Sequence, residues 1–266
     1  MKSKPQARLK SRSRYLRYEA NTTLIGSVQS AARIDFKSML NIRSVSIVLL
    51  LIVIGLALWL ALDDRFYVNS IVITGNTRVS AADIAQKSGA LGQHIFWLRP
   101  NDVAQYLPAA LPSVRSAKMS CEFPADCSLS VVERQPLVAW QYGNAITWID
   151  ADHVAFAAEG KAAGSLITIE ATEGPALFPG QHADQQLIDA AIAVAQAMPE
   201  VRTYGYTAAH GLEFNAARGF PVYLGVGSNM ADRAMVWKTL NPYLASKDII
   251  PKFVDVRYPL APYYGQ

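Results

Sequence analysis

The sequence predicts an α+β protein: a single N-terminal transmembrane helix, then a small β-α-α-β-β domain, then a second mixed α/β domain with a mostly antiparallel sheet. Three observations predict it. Val45–Leu62 is an uncharged apolar run. Beyond it, short β-branched runs end at turn pairs such as Gly75-Asn76 and Gly143-Asn144, and segments of helical spacing lie between them. Hydrophobic residues make up 51% of the 266 and charged ones 17%, which suits packed cores and excludes global disorder.

The net charge of +4 conceals a segregation. Residues 1–43 carry ten Lys or Arg against Glu19 and Asp35, while residues 63–266 carry 15 basic and 19 acidic residues. A basic tail suits nucleic acid or anionic lipid, and the next segment decides for lipid. At 1.5 Å per residue, Val45–Leu62 is roughly 27 Å long, close to the ~30 Å hydrocarbon core of a bilayer. It has no polar stripe, Trp59 sits near one end, and Arg43 and Asp63-Asp64-Arg65 close it. The apolar run exceeds the 7–15 residues of a signal peptide and no small-x-small site follows, so an uncleaved anchor is expected. The basic excess places residues 1–43 in the cytoplasm and everything after Leu62 outside.

The first outer block, residues 66–135, opens with strand Val68–Thr74. Ser80 and Asp83 approximate a capping box for a short helix that Gly89 stops. Pro100-Asn101-Asp102 opens a second helix, which Pro108 or Pro112 ends. Ser113–Cys121 and Ser128–Glu133 form a hairpin around Phe123–Asp126. The second block, residues 136–258, has a hairpin at Val138–Tyr142 and Ala145–Ile149, then strands near 154–156 and 166–169. Helix Asp184–Met198 follows, then strands at 204–207, 211–214 and 221–224. A helix capped by Asn229 and kinked or shortened by Pro242 precedes a final strand, Phe253–Tyr258; residues 259–266 form a C-terminal tail.

Chemistry-bearing motifs are sparse. His94, His153, His182 and His210 are scattered and read as loop residues, with no metal site. Gly225-x-Gly227 faintly resembles a phosphate turn but lacks its third Gly and an acidic partner, and reads as a strand-to-helix turn. No motif pairs a nucleophile with a base, so no catalytic residue, cofactor or metal is expected. Cys121 and Cys127 lie six apart across the predicted hairpin turn; a disulfide and a pair of buried thiols both fit, and register decides whether their β-carbons face each other.

Several stretches together resemble the bacterial cell-division FtsQ (DivIB) family. They are Ile73-Thr74-Gly75-Asn76, Ser80…Ile84, Gly89 and Gly92 before Ile95-Phe96, Leu111-Pro112-Ser113-Val114, Phe123-Pro124 and, most of all, Val131-Val132-Glu133-Arg134-Gln135-Pro136-Leu137-Val138-Ala139-Trp140. Trp148-Ile149-Asp150 and Val254-Asp255-Val256-Arg257 complete the likeness. The resemblance makes the first block a POTRA domain and the second an FtsQ-type β domain. The family often has Gly where this chain has His153, and the cysteine pair is not a general family feature. The resemblance implies a non-enzymatic divisome scaffold in the bacterial plasma membrane, concentrated at the septum. It would bind FtsB/DivIC-like and FtsL-like single-pass proteins, act indirectly on the septal peptidoglycan synthase, and need no nucleic acid. A sheet edge at Val254, Asp255, Val256, Arg257 and Tyr258, with Tyr263 beyond, is the implied partner-binding site, and a proline at Val256 is expected to abolish binding while the rest stays folded. The competing classes are a membrane-anchored extracytoplasmic cell-wall enzyme, which needs a polar catalytic cleft, and a POTRA-bearing translocation component, which needs barrel strands.

Overall fold

A computed structural model describes residues 42–162 and 164–266. The basic tail expected over residues 1–43 lies outside the described residues except for its last two. Helix α1, Ile42–Leu62, contains the predicted span and is long and apolar enough to cross a membrane once. The described side chains of its 43–55 stretch are all exposed, as lipid-facing residues would be in a protein taken without its bilayer. The chain divides into a unit ending at Gly55 and a second covering residues 56–266, which holds everything below.

The first domain is built on β1 (Ile71–Thr74), α2 (Ala81–Ser88), α3 (Pro100–Ala110), β2 (Val114–Glu122) and β3 (Asp126–Glu133). This is the expected β-α-α-β-β order. The sheet order is β1-β3-β2, with β1 parallel to β3 and β2–β3 an antiparallel hairpin. Ser80 caps α2 by accepting the Asp83 N–H (3.1 Å), and Gly89 ends it at φ 65°. Pro108 does not end α3, which closes at Ala110. Ile84, Leu107, Val114, Leu129 and Val131 fill the core between helices and sheet. Cys121 pairs with Cys127 in the hairpin register and the two are joined in a disulfide.

The second domain is a nine-stranded sheet in the order β12-β11-β10-β9-β8-β7-β4-β5-β6. Its strands are β4 (Val138–Tyr142), β5 (Ala145–Ile149), β6 (Ala155–Ala157), β7 (Ile167–Ala171), β8 (Thr203–Thr207), β9 (Gly211–Asn215), β10 (Pro221–Gly225), β11 (Phe253–Asp255) and β12 (Tyr263–Gly265). Parallel neighbours need a crossover, and helices supply two of them. The first, α4 (Gln185–Ala197), links β7 to parallel β8; the second, α5 (Met230–Ser246), links β10 to parallel β11. The remaining pairs are antiparallel except β4–β7. Ile188, Ala191 and Val194 of α4 and Ala234 and Trp237 of α5 share one core with Ile169, Tyr204, Leu212, Phe214 and Val222 of the strands.

Three local expectations need correction. Asn229 makes no capping bond; its Oδ1 accepts from Arg233 Nε instead (3.0 Å). Pro242 does not cut α5 short: the helix continues through it to Ser246. Residues 259–266 are not simply a tail. Pro259–Pro262 turn the chain back so that β12 pairs antiparallel with β11, Val254 opposite Tyr264.

Candidate protein-docking edge

The final strands differ from expectation in a way that moves the edge. The strand expected over Phe253–Tyr258, whose Val254–Tyr258 part is the implied edge, ends at Asp255 and is not outermost, because β10 flanks it on one side and β12 on the other. Val254, Asp255 and Val256 are buried. The Val256 N–H donates to Tyr223 O (3.0 Å), so proline there would break a bond of the fold itself, and the expected clean loss of binding does not apply. Of the six predicted residues, Arg257 is partly accessible, and Tyr258 and Tyr263 stand out at 66% and 48% exposure. The open edge is β12, which flanks only β11. Alternate residues of an antiparallel edge strand turn N–H and C=O outward, a template for an incoming strand.

Asp255 organises this corner. Its carboxylate accepts from Arg257 N–H (3.0 Å), Arg257 Nε (2.9 Å) and Nη2 (2.6 Å), and the Tyr263 hydroxyl (3.0 Å). Burial alone would raise its pKa; the Arg257 bonds, with Tyr263, outweigh burial and hold it below the usual carboxylate range. Those same bonds raise the Arg257 guanidinium. One acid in β11 thus fixes both the chain leaving β11 and the first residue of β12. Rings extend the scaffold: Tyr263 meets Phe253 edge-on (5.9 Å), Phe253 stacks on Tyr223 (5.6 Å), and Tyr223 stacks on His210 (3.9 Å).

Beside the edge lies a shallow apolar groove of roughly 470 Å³ between α5 and the returning chain, lined by Met235, Val236, Leu240, Tyr243, Pro259 and Pro262. Leu260, on the same return, is wholly exposed. The sequence reading missed β12 and this groove. The signal present was Tyr263-Tyr264 after two prolines, which fits a short strand as well as a surface tail. On the other side of Arg257 a polar cavity of about 430 Å³ is lined by Asp184, Tyr206, His210, Gly225, Arg233 and Tyr258. The glycines of Gly225-x-Gly227 make room there for Arg233: a Cβ at either would stand 2.8 Å from its guanidinium, which donates to Leu224 O (2.6 Å). The likeness to a phosphate turn therefore has an internal cause.

The side chains of His94, His153 and His210 each have a partner, His210 by stacking on Tyr223. His153 bonds Asp189 of α4 (2.8 Å), and His94 bonds Leu60 O (2.9 Å). Among the described residues no group of three or more His, Cys, Asp or Glu could hold a metal ion.

Residues 66–134 match the POTRA domain, FtsQ-type. A protein named Cell division protein FtsQ from Mycobacteroides abscessus is 32% identical over 117 residues, 42% of this chain and 36% of that protein. Another from Mycobacterium leprae is 31% identical over 104 residues, 39% of this chain and 30% of that protein. Over these stretches the chain is similar to FtsQ-type division proteins. The matched part spans about a third of the length of these curated relatives. The FtsQ-type POTRA domain covers β1 to β3 and ends at the Glu133-Arg134 pair that forms the joint to the second domain.

Proposed function

We propose that this chain is a membrane-anchored scaffold of the bacterial division machinery, with residues 1–43 in the cytoplasm and both folded domains outside. It captures FtsB/DivIC-like and FtsL-like single-pass proteins at the β12 edge, with Arg257, Tyr258 and Tyr263 beside it, and through them influences the septal peptidoglycan synthase. The observation that carries the reading is the open edge of β12 next to an apolar groove. An added strand takes its affinity from main-chain bonds and its specificity from side-chain pockets, and edge and groove offer both. The family and the named relatives support the cellular context.

The test places proline at Tyr264, opposite Val254 in the outermost strand. Tyr264→Pro in the full chain should lower capture of an FtsB-like partner by about tenfold or more, roughly 1.4 kcal/mol, and should weaken mid-cell accumulation. Tyr264 also packs against the buried core, so the main thermal transition should fall somewhat, and capture is measured below it on folded chain. Undiminished capture by a folded Tyr264→Pro chain would reject the docking edge.

A further inference from the structure

We infer that the end of the first domain nearest α1 is itself a lipid-contact surface, with the Phe96 and Phe123 rings lying in the headgroup–acyl boundary of the bilayer. The inference rests on α1 being a membrane span. It begins at the last turn of that helix. A helix leaves its final four carbonyls without intrahelical partners. Here the Tyr67 hydroxyl donates to Ala61 O (3.0 Å), and His94 Nε2–H donates to Leu60 O (2.9 Å). His94 Nδ1 accepts from the Phe96 N–H (3.4 Å), which leaves the ring proton on Nε2. Asp63 then caps a short 3-10 turn, Asp64–Phe66, which leads straight into the domain. No slack chain separates Leu62 from the first domain.

The rings follow from that fixed start. Trp59, in the last turn of α1, meets the buried Phe66 edge-on at 5.6 Å. Phe66 in turn packs against Phe96 (6.1 Å) and Phe123 (5.4 Å), which pack against each other (6.3 Å). Phe96 comes from the loop after α2 and Phe123 from the tip of the β2–β3 hairpin, so two separate parts of the fold deliver a ring to one place. Both are more than half exposed, at 56% and 67%. Indole rings favour the membrane interface, and Trp59 is at the end of the span, where that interface lies. Phe96 and Phe123 are two ring contacts from it. Their apolar faces are therefore held at the level where burial in lipid is favourable and exposure to water is not. A protein partner at this spot is the competing occupant, but it would have to displace lipid from rings fixed at the membrane end.

The test puts the photoreactive side chain of benzoylphenylalanine in place of Phe96, Phe123, Leu51 or Leu260 in the full chain, irradiated in membranes from expressing cells. Leu51 is in the middle of the span; Leu260 is at the far edge of the nine-stranded sheet. Adducts carrying the mass of one phospholipid are expected at 96, 123 and 51, and none at 260. Adducts to a protein at 96 and 123, or no lipid adduct at either, would overturn the inference while leaving α1 as a span. Absence of lipid adducts at 51 as well would overturn the span and the inference together. Phe96→Trp and Phe123→Trp chains give an independent readout. Their added emission should be quenched by brominated phospholipid in reconstituted vesicles, and unquenched emission at both would equally overturn it.

Discussion

Glu133 is a carboxylate removed from water at the end of β3, and its partners explain why it can be charged there. It accepts the successive N–H groups of Thr77 (2.7 Å), Arg78 (2.9 Å) and Val79 (3.0 Å), the Thr77 hydroxyl (2.8 Å) and Arg78 Nε (3.1 Å). Burial alone would raise its pKa; the three backbone donors outweigh it and bring the value down from 4.5 to about 2. The sign follows from linkage. A carboxyl depressed in the folded state stabilises fully above its unfolded pKa, and that stabilisation is lost as pH falls through the folded value. Glu133 should therefore contribute about 3 kcal/mol at neutral pH. Denaturation of Glu133→Gln should show a loss of that order at pH 7, closing as pH falls from 4.5 towards 2. His153 is the opposite case. It holds φ 62°, a left-handed backbone that favours glycine. Its compensation is the bond to Asp189, a half-exposed acid that water can also serve. His153→Gly should raise the melting temperature slightly, by relieving about 1 kcal/mol of backbone strain; a clear fall would show that the bond matters more than the strain.

At the scale of elements, strands and helices with strong local punctuation were legible. The Ser80 cap and Gly89 stop bounded α2, and Gly143-Asn144 marked the β4–β5 hairpin. The sequence predicts that the last strand ends at Tyr258 and a tail follows, which Pro259 and Pro262 favour because proline ends a strand. They also shape a return, and whether the following residues then pair depends on β11 being in reach, which no local pattern encodes. Burial of Val254 and Val256 was hidden for the same reason: alternating residues look alike on an edge strand and on a flanked one. The Glu133-Arg134 junction was visible as a motif, while its bonds to residues 77–79 and to Asp150 depend on the tertiary fold. Gly75 was legible as a turn residue, but its tighter constraint was not. Its φ is 85°, and a Cβ there would lie 2.2 Å from Val131 O in the neighbouring β3. Gly75→Ala should separate β1 from β3 and cost about 3 kcal/mol or more in chemical denaturation. A cost under about 1 kcal/mol would mean the strand moves aside freely.

In the second and larger unit, the two domains meet through side chains and through the connector itself. Arg134 Nη1 donates to the buried Asp150 (2.6 Å), and its Nε donates to Pro112 O (3.0 Å). The Arg78 guanidinium stands over Trp148 (5.6 Å) and Phe156 (5.7 Å) of the second domain while also donating to Arg134 O. Removing one partner of a buried ion pair typically costs 3–5 kcal/mol, because the other is left uncompensated. Arg134→Ala should lower stability by about 3 kcal/mol and split a single unfolding transition into two in calorimetry. One unsplit transition would mean that the domains are coupled elsewhere. The connector's own backbone is committed on both sides. The Arg134 N–H goes to Ser113 O, and Leu137 gives its N–H to Ile149 O and accepts from Ile167. A tether of similar length with free backbone would let a captured protein explore a volume, diluting it to the millimolar range typical of short flexible linkers. A braced joint would instead give a protein docked at β12 a fixed address relative to β3, set by the fold rather than by chance encounter.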